Sequence, residues 1–400
     1  MIQDGIGKNL PAFYDSDLSI NLDAAANTPA TPDVIAAIVA ALEGGAGNAA
    51  SAHEFGARSR KILAAARDSV LRLVDGAFEE GVVFTSGCTE ANNMVLRSGF
   101  AGTLVTTSVE HPSILRAAAQ APSPERVHVL GVDAEGIVDL ATLTALAASI
   151  QGPLLVSIQA ANSETGILQP IDKIAAILAG RSQTLFHSDA AQAFGKVPID
   201  LAEGRGPDVI TVSAHKLHGP MGVGAVVAGT RDVPLAPLLF GGDQEHGLRA
   251  GTEAVPLIAG FGVACDERAS TLAGSVAHMA ALRERFEGRL RTAVPDAILL
   301  GASAPRLPNI MSIRFPGIDA MALAGQLDVR GVAASQGSAC SSQRPEPSHV
   351  LTALGLTEAE AFETLRFSVS ALNSAAEIDI AADVVAASVS LLRNRSWQLA

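Results

Sequence analysis

Aromatic residues are scarce in this sequence, at 4% of 400 residues with a single Trp and a single Tyr. Cysteine is scarcer, with only Cys88, Cys265 and Cys340, three thiols far apart and in no CxxC spacing. That set fits neither a disulfide framework nor a zinc site, and it points to a reducing compartment. Basic charge is also short. Lys and Arg total 28 against 41 Asp and Glu, for a net charge of −13. No basic run occurs anywhere, which argues against nucleic acid and anionic membrane as partners. Long apolar runs are missing too, although mean hydropathy is +0.31. Val34–Leu42 and Leu154–Val156 are short, and Ile378–Leu392 is interrupted by Asp379, Asp383 and serines. A spanning helix needs about 18 uninterrupted apolar residues. Met1–Tyr14 carries Asp4, Lys8 and Pro11 and has no apolar core of signal-peptide length. The expectation is a cytoplasmic protein whose hydropathy reflects alanine richness.

What is present is an alternation of strand-like and helix-like segments. Gly81–Thr85, Gly102–Thr107, Arg126–Leu130, Pro153–Gln159, Thr184–Ser188, Asp208–Ser213 and Gly224–Ala228 read as strands. Several are continuous apolar runs, the mark of strands covered on both faces. Helical segments such as Thr89–Gly99, Pro112–Gln120 and Ile171–Leu178 intervene. The expected class is α/β, a mainly parallel seven-stranded sheet flanked by helices. A helical stretch over Ser270–Leu290 bridges to a smaller α+β unit beginning near Leu299. The expected division is a large domain over 17–265, with 1–16 and 266–400 forming a small one.

Lysine is rare enough to weigh one by one, at Lys8, Lys61, Lys173, Lys196 and Lys216. Only Lys216 closes a strand, through Ser213-Ala214-His215, with Gly219, Gly222 and Gly224 after it. Ligands of α/β sheets gather beyond the carboxyl ends of strands, and a Schiff-base lysine needs such a place. The alternative is a surface lysine. Asp189 ends the strand before it and has the topology of a carboxylate that keeps a pyridine nitrogen protonated. A helix cap explains it equally well. The turn Ser86-Gly87-Cys88-Thr89 joins strand to helix, where backbone amides and the Thr89 hydroxyl suit a phosphate. Alone this signal is weak. Cys340 lies among Gly337-Ser338-Ala339 and Ser341-Ser342, an exposed-loop composition unusual for a thiol. A mobile, accessible thiol suits a nucleophile. Cys265 reads as an ordinary buried cysteine.

Together these segments resemble the cysteine desulfurase family, within the fold-type-I pyridoxal-phosphate (PLP) enzymes related to class V aminotransferases. The matching stretches run along nearly the whole chain in order. They include Leu22–Ala26, Gly47–His53, Thr85–Asn93, Glu110-His111, Asn162–Gly166 and His187–Gln192. Ser213–Lys216, Gly241–Thr252, Gly337–Ser342 and Arg366–Ser368 complete them. The resemblance implies a PLP cofactor held by Lys216, with Asp189 on the pyridine nitrogen and Gln192 near the phenolic oxygen. It implies that His111 stacks on the ring and moves protons, and that Thr89, Ser213 and His215 hold the phosphate. Cys88 and Ser163 fall beside the cofactor, while Arg366 and Asn162 face the substrate. Arg366 suits a carboxylate because its guanidinium is bidentate, though a rim salt bridge is the alternative. Thr252 is implied to reach the phosphate of a partner subunit's cofactor, making a homodimer. The implied reaction moves sulfur from L-cysteine to Cys340 as a persulfide and releases L-alanine. The short segment from Cys340 to Leu351 resembles the form that serves an iron–sulfur scaffold protein as sulfur acceptor.

The sequence departs from the family at several points. Ser163 stands where a second asparagine is usual, with a shorter reach. Cys88 replaces a common Gly or Ala, Ala24 and Asn27 differ in the first motif, and Val369–Asn373 lacks a Gly-Arg-Phe. Two other readings remain: a selenocysteine lyase or aminotransferase on the same fold, and a non-catalytic relative. Transamination needs no thiol, so Cys340 separates the first. A dead copy has no reason to keep Lys216, Asp189 and Cys340 together, which speaks against the second.

Overall fold

A computed structural model describes residues 20–78, 80–97, 102–121, 123–231, 233–337 and 346–396. Its largest element is a seven-stranded sheet. From edge to edge the strands are Val82–Thr85, Gly224–Ala228, Val209–Ser213, Thr184–Asp189, Leu154–Ser157, Thr103–Thr107 and Val127–Leu130. Gly224–Ala228 runs antiparallel to both neighbours, and the other pairings are parallel. All residues of Val82–Thr85, Leu154–Ser157, Val209–Ser213 and Gly224–Ala228 are buried. Their continuous Val, Leu and Ile runs therefore reflect helices packed on both faces. All seven strand segments expected from the sequence are present. Pro153–Gln159 is trimmed to Leu154–Ser157 and Thr184–Ser188 extends to Asp189.

Direction of travel reverses beside Thr103–Thr107. The chain first goes outward to the edge strand Val127–Leu130, then returns to Leu154–Ser157 on the other side. Loops that leave the carboxyl ends of strands at such a switch point form a crevice. Here they carry His111, Ser163, Asp189 and Lys216 to one edge of the sheet.

A second core surrounds a three-stranded antiparallel sheet of Ile298–Leu299, Ile310–Arg314 and Thr364–Ser368, with Ile310–Arg314 central. Phe367 packs its ring 5.0 Å from Phe286 and 6.4 Å from Phe315, measured between centroids. The short strand Ile20–Asn21 pairs with Val332–Ala333, and Ile20 and Leu22 belong to this second core.

The stretch expected as helical over Ser270–Leu290 is part of one 39-residue helix, Val255–Ala293. Its first part supplies Ile258, Phe261 and Cys265 to the large core. Its last part supplies Met279, Leu282 and Phe286 to the second. Gly260 and Gly262 lie in the part that precedes the expected stretch, and glycine is a poor helix former. Both instead allow close approach: a Cβ on Gly262 would stand 3.0 Å from Ala66 Cα, and one on Gly260 2.8 Å from Ile38 Cγ1. Among the described residues no helix is long and apolar enough to cross a membrane.

Candidate active site

One cleft of about 600 Å³ opens at the carboxyl edge of the large sheet. Lys216 enters it from a short turn of 3-10 helix, Ala214–Lys216, directly after strand Val209–Ser213. Its amine donates to the carbonyls of Ala25 at 2.6 Å and Ala26 at 2.7 Å. Burial lowers that amine to about 8, and the nearby Arg366 cation adds to the effect. An amine so lowered is partly neutral near pH 7, as a nucleophile must be.

Asp189 closes strand Thr184–Asp189 and is buried. Its Oδ2 accepts from Asn92 Nδ2 at 2.7 Å, and its Oδ1 accepts from the Ala191 amide at 3.0 Å. Cys88 Sγ lies 3.4 Å from the same Oδ1. Burial, with Asp189 beside it, pushes the Cys88 thiol well up, so it stays protonated there. Gln192 donates to Ala25 O at 2.8 Å. Its Oε1 is buried without a partner among the described residues, as is Asn27 Oδ1, and both residues line the cleft.

His111 caps helix Pro112–Ala118, its Nδ1 accepting from the Ser113 amide at 3.1 Å. Proline at the first helical position lacks the amide that a cap would otherwise have to serve. Burial lowers His111 below its ordinary value. His215, which faces Ser213 Oγ at 2.8 Å through Nδ1, is lowered by burial to about 4. Both histidines are therefore neutral at physiological pH.

The turn expected to hold a phosphate is built from the end of Val82–Thr85 and the start of helix Cys88–Arg97. Glu90 reaches back to the Ser86 amide at 2.7 Å and is paired with Arg249 at 3.0 Å. The first-turn amides of a helix have no partner within the helix, so this turn offers donors beside the Thr89 side chain. On the opposite wall Arg366, from strand Thr364–Ser368, binds Asp23 Oδ1 at 2.6 Å and the Ser163 carbonyl at 3.0 Å. Its Nε is buried and without a partner among the described residues.

The cleft thus gathers Cys88, Thr89, His111, Ser163, Asp189, Gln192, Ser213, His215, Lys216 and Arg366. Two expected residues are not brought there. Asn162 is buried in its own turn, its Oδ1 accepting from the Glu164 and Thr165 amides and its Nδ2 donating to Val109 O. Its amide oxygen is thereby spent on its own turn. Thr252 is exposed on the segment before the long helix, outside the cleft lining. Cys340 lies outside the described residues. Gly337, three positions earlier, lines the cleft against Glu164.

The sequence reading gave no role to Asn92, Thr211, Ser113, His187 or Glu110. Asn92 had a visible signal, since it shares the buried face of its helix with Ala91, Met94 and Val95. His187 is wholly buried between Ser157 Oγ at 2.9 Å and Thr211 Oγ1 at 3.2 Å, and burial lowers it to about 4. Glu110 accepts from Thr107 Oγ1 at 2.7 Å and from the Gln159 amide at 2.9 Å. Burial raises its carboxyl to about 8.

Residues 20–380 match the family model described as aminotransferase class-V. A protein named cysteine desulfurase from Gluconacetobacter diazotrophicus is 38% identical over 386 residues, covering 94% of this chain and 95% of that protein. The solved NifS-like protein of Rickettsia africae superposes with a TM-score of 0.82 at 32% identity, covering 92% of this chain and 98% of that one. A structure described as SspA in complex with cysteine gives a TM-score of 0.74 at 30% identity, covering 88% and 99%.

Proposed function

The chain belongs to the class-V aminotransferase family, and from that premise we propose that it is a PLP-dependent cysteine desulfurase. The observation that carries this reading is the convergence of Lys216, Asp189 and Arg366 on one cleft that Gly337 also lines. The residues present fit the cofactor. A lowered amine, a buried carboxylate, the unpaired Gln192 Oε1 and a strand-to-helix turn match an aldehyde, a pyridine nitrogen, a phenolic oxygen and a phosphate. When bound, the cofactor supplies an electron sink for the substrate α-carbon.

The chain's own residues do the rest. Lys216 holds the cofactor and, as a partly neutral amine, takes the α-proton. Asp189 holds the pyridine nitrogen, while Gln192 meets the phenolic oxygen through its free end. Thr89, Ser213 and His215 face the phosphate with the amides around Cys88. Arg366 binds the substrate carboxylate with the fork it now shares between Asp23 and Ser163 O. The Cys340 thiolate attacks the substrate sulfur. One S–S bond forms, the carbon–sulfur bond breaks, and its electron pair with a proton completes L-alanine. L-cysteine and a thiol thus become L-alanine and a persulfide, with no external oxidant.

We assign the active unit as a cytoplasmic homodimer in which Thr252 serves the partner subunit's cofactor. Leu239 and Phe240, 56% and 90% exposed on the segment leading to Thr252, support a surface that a second copy covers. The persulfide passes to an acceptor protein such as an iron–sulfur scaffold. For the domains, we set the first boundary near residue 23 rather than 17, because Ile20 and Leu22 sit in the second core. The second boundary stays near Cys265, within the long helix.

The test is an absorbance spectrum of the purified protein, then sulfide and alanine assays with L-cysteine and a reductant, in parallel with Cys340→Ala. A band near ~420 nm marks a PLP-bearing lysine. Sulfide and alanine from the native protein alone are expected. Equal turnover by Cys340→Ala removes the thiol from the reaction. A colourless protein that PLP does not reconstitute overturns the enzyme reading.

A further inference from the structure

Asn92 sits inside helix Cys88–Arg97, where asparagine is a poor helix former. It is fully buried, and each of its polar groups has a partner. Nδ2 donates to Asp189 Oδ2 at 2.7 Å and to Ser113 Oγ at 2.9 Å, and Oδ1 accepts from Thr211 Oγ1. A carboxylate only accepts, so Asp189 decides which end of the amide faces it. The directions of the neighbouring hydroxyls then follow. Thr211 spends its proton on Asn92 Oδ1, so it accepts from His187 Nε2 at 3.2 Å. Ser157 Oγ, at 2.9 Å, donates to His187 Nδ1.

On the other side, Ser113 Oγ receives the second Nδ2 hydrogen. Its own proton goes to His111 Nδ1 at 2.8 Å. The Ser113 amide points at the same Nδ1 from 3.1 Å. The Nδ1 atom is therefore an acceptor, and the neutral ring carries its hydrogen on Nε2.

We propose that Asn92 is a positioning residue that relays the direction of the Asp189 carboxylate through Ser113 and so holds His111 as the neutral, Nε2-protonated imidazole. A proton on Nδ1 would face the Ser113 amide. Ser113 Oγ would then have to accept through its second lone pair, and its own hydrogen, already faced by a donor at Asn92, would lose the Nδ1 acceptor. The charged groups around His111 do not undo this. Asp189 and Glu164 favour the cation, Lys216 and His349 oppose it, and burial outweighs them all. In the reaction proposed above, on which this consequence rests, His111 offers a hydrogen-bond donor and leaves proton abstraction to Lys216.

The experiment is nitrogen NMR of the full chain labelled at histidine, with and without cofactor, His111 being assigned by its loss in His111→Gln. Two-bond proton–nitrogen correlations identify the tautomer without any turnover. The native protein is expected to show an unprotonated Nδ1 and a protonated Nε2. Asn92→Leu removes the donor that turns the Ser113 hydroxyl hydrogen toward the ring, and the His111 midpoint is expected to rise by about one pH unit, the worth of one net hydrogen bond. Asn92→Ser cannot span from Asp189 to Ser113 and carries the same expectation should the leucine variant fail to fold. A native His111 with its hydrogen on Nδ1, or an unchanged midpoint in the variants, overturns the proposal. The tautomer is read without cofactor, so a chain that binds no PLP sinks the proposed function and leaves this inference standing.

Discussion

Gly224 is the position where one added methyl group tests the architecture of the cleft. It begins strand Gly224–Ala228, and its α-carbon faces the turn that leads to Thr89. A Cβ there would stand 2.4 Å from Val212 O, 2.8 Å from Gly87 Cα and 2.9 Å from Gly87 C. All three are backbone atoms, so no side chain can swing aside. Comfortable contact needs roughly 3.5 Å, and Gly224→Ala must push the Gly87 turn away by about 0.5–1 Å. Such overpacking costs about 1–3 kcal/mol. The displaced turn is the one expected to hold the cofactor phosphate, and a shift of that size costs about 10–100-fold in a positioned interaction. The assay is a PLP titration of the apoprotein followed by absorbance, with a thermal melt in parallel. Weaker cofactor binding together with a lower midpoint is the expected result. An alanine variant with native affinity and native stability would refute the claim that Gly87 and Gly224 must touch.

Two further outcomes are expected. Arg366→Leu should raise the KM for L-cysteine by about 100-fold, corresponding to roughly 3 kcal/mol for a charged, forked contact, whereas Arg366→Lys should recover part of it. An unchanged KM in both would exclude Arg366 from carboxylate binding. Stability should also depend on pH in two opposed ways. Glu110 is raised in the fold to about 8 from an ordinary 4.5, so its contribution is complete below ~4.5 and is lost as pH rises through 8. His187 is lowered to about 4 from 6.5, so its contribution is present above ~6.5 and is lost as pH falls through 4. Glu110→Gln should gain stability relative to the native chain as pH rises from 5 to 8, by up to about 4 kcal/mol. Urea midpoints at the two ends check this, and parallel curves would show that Glu110 ionises freely in the fold.

The large sheet was legible because its strands are buried on both faces, which leaves apolar runs such as Leu154–Val156 unbroken. Lys216 and Asp189 were legible because each follows such a run directly. The beginning of the long helix was not, since glycines that permit close packing have the same letters as glycines that end helices. The network around Asn92 was hidden for a different reason. Asn92, Ser113, Thr211 and His187 come from four separate elements, and nothing local in the chain says that they meet. Asn162 shows the opposite limit of a motif. It lies in a matching motif, yet its side chain serves the backbone of its own turn.

The 39-residue helix Val255–Ala293 has a thermodynamic consequence. At ~1.5 Å per residue it is a rod of about 58 Å, and each end is the packing partner of a different core. Unfolding either core strips one half of the rod of its apolar cover, and a bare helix of that half-length is marginal in water. The loss then propagates along the hydrogen-bonded backbone into the other core. Two cores joined by a loop would melt independently, whereas two cores sharing one helix melt as a single cooperative unit. The same rod keeps Arg366, on the second sheet, in register with Lys216 and Asp189 on the first, so the cleft lasts only as long as the whole molecule stays folded.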